Sequence, residues 1–466
     1  MANGLAKRLF LGRTAILWIG LALVASMAFA QRAAAVDTSA CNFQNGLGSF
    51  SSTNQPGDCW RPYNDSSPFN REIPQGAPLA SESAGNVSHL LAGGQVGYLV
   101  AGDPQRDGGV PIYWSQPSDP VYTLHCTKPW GRCAIEGMQI HVPASAEPTG
   151  GFATPGNDHD AHMTIVDQQS GWEYDLWNVQ SKTGSTINFS WGGKTRIDGD
   201  GLGSAAVAAD YGSIAGPIRV QELRDGLINH ALTMAVPCTD SQVYPAQGMG
   251  MRCSDAGLPA SSSIAMGSHF ELNMSNSQIA ALNVPTWKKT ILTALATYGA
   301  YVSDTTGNAD QWGFETESSQ SYTSSGQADP WVQFARSIGL HPYDFNNNGY
   351  QEYWFDLRSD VPWNRLQVVD VCAARGTCPE STQSPPDPPS DPQPSQSSPP
   401  PSSGDAALSA SAQPDPTAPA TGDPGKCWRD RANWAREYRR THDRPAPRFR
   451  RVLAQMARTC ALGATA

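Results

Sequence analysis

Residues 162–177 read HMTIVDQQSGWEYDLW, and this stretch decides the fold class of the 466-residue chain. Two runs rich in β-branched and aromatic residues, 162–166 and 172–177, flank the turn-forming segment 168–171. The pattern predicts a β-hairpin. Because side chains alternate along a strand, Glu173 and Asp175 are expected on one face of its second strand.

Other β-rich runs follow at close intervals, separated by Gly, Pro, Asn and Asp; they include 97–100, 138–142 and 231–236. Two stretches favour helices instead, 204–211 and 287–298. The composition of 16% charged residues, 44 Gly, 37 Pro and 14 Trp points away from coiled coils and helical bundles. We therefore predict a mainly β main domain over residues 31–378, an antiparallel, jelly-roll-like β-sandwich with a few short helices.

Three further segments complete the predicted organisation. Residues 1–30 resemble a signal peptide, with basic residues, an apolar run shorter than a bilayer span, and Ala-Phe-Ala at 28–30. Residues 379–425 are rich in Pro and Ser and predict a disordered linker. Residues 426–466 predict a small basic helical tail. We expect a secreted protein, extracellular or at the cell surface, with no transmembrane segment after signal cleavage.

Charge separates the tail from the rest of the chain. Lys426 and ten arginines against three acids give residues 426–466 a formal charge of +8, so the preceding residues carry −18 of the total of −10. Arginines among aromatic side chains suit an anionic cell-wall polymer or another anionic surface. The alternative is that the aromatic residues pack inward and the arginines are only solvated.

All ten cysteines follow the leader and fall as near neighbours in sequence. An even number of cysteines in an exported chain favours disulfides, and no close CxxC-type pair suits zinc. We predict five local bridges: Cys41–Cys59, Cys126–Cys133, Cys238–Cys253, Cys372–Cys378 and Cys427–Cys460.

Polar residues gather at the starts of predicted strands. The densest cluster is 157–162, Asn-Asp-His-Asp-Ala-His, and an imidazole beside carboxylates suits acid–base chemistry or metal binding. The alternative is a polar loop bonded to its own backbone. The candidate catalytic residues are Asp160, His162, Asp175, Glu222 and His230. The candidate substrate-binding residues are Trp177, Arg219, Tyr298 and Asp304.

Metal binding has two candidate sets. Asp344, Asn346 and Asn348 match the opening of a calcium loop, but Phe355 stands where a bidentate acid is needed, so a plain turn is the alternative. His162, His230 and His269 form a second set, if they converge. No cofactor other than calcium is expected. No phosphate-binding loop, dinucleotide fingerprint, GxSxG or HExxH motif occurs, which argues against nucleotide binding, α/β-hydrolases and zincins.

The core also resembles a largely uncharacterised family of secreted bacterial β-rich proteins. The matching segments keep their order over about 270 residues: 67–70, 160–167, 174–177, 216–222, 226–232, 244–246, 266–267 and 294–304. The resemblance implies a shared fold and a cleft around Asp160, His162, Asp175, Glu222, His230, Tyr298 and Asp304. Family members tend to carry arginine where this chain has Ala161, Thr233 and His269, which argues against carrying over an anionic substrate.

These observations favour a secreted carbohydrate-active enzyme that acts on an extracellular polysaccharide and is tethered by its basic tail. A hydrolase, favoured over a lyase, would use two carboxylates from Asp160, Asp175 and Glu222. A lyase would use His162 or His230 as base, Tyr298 as acid and Arg219 against a uronate. The alternative is a non-catalytic glycan-binding or cell-surface adhesion protein.

Overall fold

The computed structural model describes residues 44–45, 49–57, 59–93, 95–104, 109–128, 132–155, 159–307, 311–344 and 349–378. The chain divides into two compact units, Met1–Pro386 and Asp387–Ala466, and every described residue belongs to the first. The predicted signal peptide, linker and basic tail lie outside the described residues.

The described residues form sixteen strands. In chain order they are β1 Gln44–Asn45, β2 Trp60–Arg61, β3 Gln95–Val96, β4 Leu99–Ala101, β5 Ile112–Ser115, β6 Val121–Cys126, β7 Gln139–His141, β8 Met163–Asp167, β9 Trp172–Thr183, β10 Thr186–Arg196, β11 Leu232–Val236, β12 His269–Leu272, β13 Ala300–Thr305, β14 Gln311–Phe314, β15 Tyr353–Phe355 and β16 Leu366–Val369. The α-helices are α1 Ser83–Gly93, α2 Val220–Asp225, α3 Asn276–Ala281, α4 Thr286–Thr297, α5 Gln320–Thr323, α6 Pro330–Ser337 and α7 Val371–Arg375.

Two six-stranded sheets dominate the fold. The first has the strand order β5-β8-β9-β10-β6-β7, and the second has the order β16-β12-β13-β11-β14-β3. Strand residues outnumber helical residues, so the mainly β prediction is confirmed. The expected antiparallel pairing is wrong in part, because each sheet also contains parallel neighbours. These pairs are β5 with β8, β6 with β10, β11 with β13, and β3 with β14.

The predicted hairpin is present. Strands β8 and β9 pair antiparallel from Met163↔Leu176 to Asp167↔Trp172, and Gly171 adopts a positive φ of 73° in the turn. The predicted helix 287–298 is also confirmed, as α4. Its apolar face, including Trp287, Ile291 and Leu295, is buried in the main core.

The helix predicted over 204–211 is wrong, because this segment forms turns and bends. Asp210 accepts a hydrogen bond from the backbone N–H of Ala205 (3.0 Å) and itself has a φ of 55°. A side chain that bonds nearby backbone competes with the helical ladder, and a left-handed residue ends it. The alanine-rich composition is therefore overridden by one aspartate.

Two hydrophobic cores flank the first sheet. One contains Ile165, Leu176 and Phe189 from one face of that sheet. The larger core contains Trp114 and Val166 from the first sheet together with residues of the second sheet and of the helices, including Leu232, Phe270, Leu292 and Leu295. The first sheet thus has apolar packing on both faces, and the second sheet shares one core with it.

Three predicted disulfides are confirmed: Cys126–Cys133, Cys238–Cys253 and Cys372–Cys378. Cys59 is also disulfide-bonded. Its partner lies outside the described residues, since the other six described cysteines pair with one another. Cys41, Cys427 and Cys460 fall outside the described residues as well. Within the described ranges, none of the helices is both long enough and apolar enough to cross a bilayer.

Candidate functional site

The site is a cavity of about 470 Å³. Its walls come from β4 and the loops near it, from the segment before β8, and from parts of β11, β13 and β14 in the second six-stranded sheet. Five of its lining side chains are acids or histidines: His159, Asp160, His162, Asp304 and Glu315. Tyr98 and Phe314 add aromatic surface to the wall. A concave, partly aromatic cavity with converging ionisable groups is the usual form of a ligand site.

Strand pairing places Asp304 beside residues that have a small side chain or none. Ala235 on β11 pairs with Asp304 on β13 and, on its other side, with Gly313 on β14. All three residues line the cavity. Because the two neighbours of Asp304 across the sheet carry a methyl group or no side chain, the space above them stays free for a ligand.

A β-bulge directs this part of β13. Met234 pairs with Val302 and Ala235 pairs with Asp304, so Ser303 is an extra residue in the strand. The Ser303 hydroxyl donates to Oε1 of Glu315 at 2.7 Å. Bulges commonly re-aim a side chain beside an active site. Here the bulge brings the carboxyl groups of Asp304 and Glu315 to one side of the cavity.

Both of these carboxyl groups have raised pKa values. Burial, followed by the charge of Glu315, raises the pKa of Asp304 to about 7, and Asp160 adds to the shift. Burial also raises the pKa of Glu315, against the opposing effect of hydrogen bonds from Ser303 and Thr233. Asp304 therefore keeps its proton in mildly acidic solution and can donate it to a bound ligand.

Asp160 and His162 form the facing wall. Asp160 is exposed, and its carboxylate accepts a hydrogen bond from the Trp177 indole at 3.1 Å. Burial lowers the pKa of the His162 imidazole, although nearby Asp160 opposes the shift. His162 is therefore neutral near pH 7, and its ring faces the cavity as a proton acceptor or donor.

The backbone around Asp160 is held in an unusual conformation. Ala161 and Asn178 both have positive φ values, 41° and 54°. They lie side by side, since the Asn178 N–H donates to the Asp160 carbonyl (2.6 Å) and the Val179 N–H donates to the Ala161 carbonyl (3.1 Å). Positive φ is rare for residues with a Cβ, and such strain concentrates at functional sites.

Asp175, a predicted catalytic residue, is buried away from the cavity beside Glu173. Asp175 accepts from the Thr164 hydroxyl (2.7 Å) and the Ser213 N–H (3.3 Å). Glu173 accepts from the Tyr63 hydroxyl (2.6 Å) and the Ile214 N–H (2.9 Å). Burial raises the pKa of both carboxyl groups. The pair thus attaches residues 213–214 to the inner face of the first sheet.

Glu222 and His230 contact each other in a second buried network. Nε2 of His230 lies 2.8 Å from Oε1 of Glu222, and Nδ1 lies 2.8 Å from the Ala231 carbonyl oxygen. Both ring nitrogens therefore lie within hydrogen-bond distance of an oxygen atom. The other Glu222 oxygen accepts from the Arg219 N–H at 2.9 Å, at the start of α2.

The Arg219 side chain is buried in the same region. Its guanidinium lies 4.6 Å from the Trp60 ring centroid, and its Nε lies 3.9 Å from Oε2 of Glu317. Its Nη2 donates to the Pro56 carbonyl. Arg219, Glu222 and His230 do not line the cavity, and their contacts join α2 to the surrounding loops.

Tyr298 and His269 also lie outside the cavity. The Tyr298 hydroxyl is 3.5 Å from Oε1 of Glu72, and burial raises the pKa of Tyr298 to about 12. Nε2 of His269 donates to the Tyr298 carbonyl at 2.7 Å, and the His269 ring stacks on Tyr301. Thus His162, His230 and His269 have separate surroundings, and the three-histidine metal site is wrong.

The calcium loop stays a prediction, because Asn346 and Asn348 fall outside the described residues. Of the three proposed ligands only Asp344 is described, and its Oδ2 accepts from the Gly349 N–H at 3.3 Å. Among the described residues, no group of three or more His, Cys, Asp or Glu side chains is placed to hold a metal ion.

Of the predicted site residues, the structure brings together Asp160, His162 and Asp304, with Trp177 bonded to Asp160. Glu315 was missed. Glu315 follows the apolar run 312–314 and begins the polar run 315–317. This change from apolar to polar residues indicates the end of a strand, and it is the signal that could have identified Glu315. Its approach to Asp304 depends on the pairing of β14 with β11 and of β11 with β13, which the local pattern does not contain.

Comparisons with protein-family models, curated proteins and solved structures found no match for this chain, so the site is interpreted from its own geometry.

Proposed function

We propose that the chain is a secreted glycoside hydrolase that cleaves an extracellular polysaccharide in this cavity. One observation carries the proposal: an exposed carboxylate, Asp160, and a sequestered carboxyl group with a raised pKa, Asp304, line the same cavity. Glycoside hydrolysis needs such a pair, with one carboxyl protonated and the other ionised.

In this mechanism Asp304 is the general acid. It protonates the glycosidic oxygen as the bond to the anomeric carbon breaks, and the leaving sugar departs as an alcohol. Asp160 acts on the other side of the sugar, either as a nucleophile or as the base that activates water. The Trp177 indole N–H orients the Asp160 carboxylate, and the neighbouring Glu315 carboxyl group helps to raise the pKa of Asp304.

This proposal replaces the carboxylates first expected from the sequence. Asp175 and Glu222 are buried in networks of their own, whereas Asp160 and Asp304 share the cavity. A lyase acting on a uronate has less support, because Arg219 and Tyr298, the expected cationic and acidic groups, do not line the cavity.

The wider features support an exported enzyme. Disulfides persist in oxidising compartments, and three are present among the described residues. The leader-like residues 1–30 and the basic tail fit secretion followed by attachment to an anionic cell-wall polymer or surface. We further infer that the two sheets pack as layers of a β-sandwich and that the core belongs to the secreted family it resembles.

The test is the release of reducing ends from a panel of soluble polysaccharides by the purified protein. Asp304→Asn is expected to lower turnover by about 10²- to 10⁴-fold, the usual contribution of a general acid. Asp160→Asn is expected to cause a comparable loss. Asp255→Asn is the matched control, because it removes an exposed carboxylate elsewhere on the surface. Full turnover by both cavity variants would refute the proposal, and glycan binding without any cleavage would favour the binding-protein alternative.

A further inference from the structure

We propose that the cavity prefers a sugar unit that carries a protonated amine, as in polymers of 2-amino-2-deoxyhexoses, over neutral or acidic sugars. The inference rests on the proposed function, since it names the substrate class of that same site. It follows from the charges that line the cavity and from their arrangement on two opposing walls.

Carboxyl groups enter the cavity from three separate parts of the chain. Asp160 precedes β8, Asp304 lies near the end of β13, and Glu315 follows β14. No Lys or Arg is present among the described residues of the lining. The neighbouring Arg358 is engaged elsewhere, because its Nε donates to the Val96 carbonyl (2.8 Å) and its guanidinium lies 4.2 Å from the Tyr98 ring centroid.

The His162 imidazole in the lining does not offset the charge of these acids. Burial favours the neutral form of His162. Nε2 of His159 lies 3.0 Å from the Thr149 carbonyl oxygen and 3.1 Å from that of Gly151. A bound ligand would therefore meet the carboxyl groups of the cavity, because the Thr149 and Gly151 carbonyl oxygens are already in contact with His159.

A uronate in this cavity would add a negative charge close to Asp304, whose ionisation Glu315 and Asp160 already oppose. An ammonium group has the opposite effect, since an opposite charge within about 4–6 Å favours ionised carboxylates. It would allow Glu315 to release a proton and to form a charge-assisted hydrogen bond with the amine. Asp304 then keeps its proton for the glycosidic oxygen.

Long-range electrostatics act in the same direction. The chain preceding residue 426 carries a formal charge of −18. A protein surface of that sign attracts a cationic polymer and repels a polyanion, and the effect weakens as salt is added.

The test is isothermal titration calorimetry of the purified full chain at about pH 6, where sugar amines are largely charged and carboxylates of oligogalacturonate are ionised. Three oligosaccharides of equal length are compared: glucosamine, N-acetylglucosamine and galacturonate oligomers. We expect the glucosamine oligomer to bind at least about tenfold more tightly than its acetylated counterpart, an advantage of about 1.4 kcal/mol. Titrations in two buffers with different ionisation enthalpies measure the protons released on binding. We expect proton release when the glucosamine oligomer binds and none when the other two oligomers bind.

Glu315→Gln is expected to remove most of this preference and most of the proton release. Asp160→Asn provides a second variant, at an exposed position where the fold tolerates the change. Equal or tighter binding of the N-acetylglucosamine or galacturonate oligomer would overturn the charge preference but leave a glycan site in place. If none of the three oligomers binds and no polysaccharide is cleaved, the proposed function fails together with the inference.

Discussion

Asp304→Asn is expected to make the protein more stable at neutral and alkaline pH. Asp304 has a pKa of about 7 in the folded protein, compared with 3.8 when unperturbed. As the pH rises, the Asp304 carboxyl group therefore loses its proton at a lower pH in the unfolded chain than in the folded protein. Between about pH 4 and pH 7 the folded state binds more protons than the unfolded state, so the free energy of unfolding falls with rising pH. Asparagine has nearly the same shape and no charge, so the variant does not lose free energy of unfolding at this site as the pH rises.

The difference of about three pKa units corresponds to at most about 4 kcal/mol at 1.36 kcal/mol per unit. The cavity admits solvent and the amide replaces a carboxylate that accepts backbone hydrogen bonds, so we expect a gain of about 1–3 kcal/mol at pH 8. At pH 4 the variant and the wild type should be nearly equal in stability.

Urea denaturation with the disulfides intact, followed by tryptophan fluorescence from pH 4 to pH 8, measures this difference. The Asp255→Asn variant, which removes an exposed carboxylate, should give a profile parallel to that of the wild type. The prediction fails if the stability difference between Asp304→Asn and the wild type is the same at pH 4 and pH 8. It also fails if the variant loses stability relative to the wild type as the pH rises.

Three further variants test the packing around the site. Tyr63→Phe removes the hydroxyl that donates to buried Glu173 at 2.6 Å, and should lower the free energy of unfolding by about 1–3 kcal/mol in urea titrations; an unchanged midpoint would contradict the role of this bond. Gly201→Ala should destabilise by about 1–3 kcal/mol or more, because Gly201 has a φ of 87° and a Cβ there would lie 2.6 Å from the Tyr63 ring, and a normal melting temperature would argue against that contact. Replacing Cys238 and Cys253 together by alanine opens a 15-residue loop and should cost about 3 kcal/mol, and an unchanged urea midpoint would contradict a stabilising role for this bridge.

The elements that the sequence predicts well are those decided by local pattern. The hairpin of β8 and β9 and the helix α4 follow from short-range periodicity, and the clustering of Asp160 with His162 follows from their spacing. Alternation also predicts that Glu173 and Asp175 share a face. It does not say whether that face meets solvent or protein, and here the backbone N–H groups of residues 213–214 cover it.

The remaining features depend on contacts between distant parts of the chain. Parallel pairing of β11 with β13, and the bulge at Ser303, bring Asp304 beside Glu315. Neither is encoded in the residues next to them, because register across a sheet is set by the partner strand and the core. The missing helix at residues 204–211 has a different, local cause, since Asp210 accepts a hydrogen bond from the backbone N–H of Ala205.

The walls of the cavity come from segments near residues 98–110, 149–162, 235 and 304–316, which span two sheets. The bridge of Val110, which precedes β5 of the first sheet, with Glu317, which follows β14 of the second, links those sheets. Such long-range closure makes folding slow and leaves no autonomous fragment able to form the site. The cavity should therefore form as one late event during refolding, and ligand binding in it would report that both sheets are assembled.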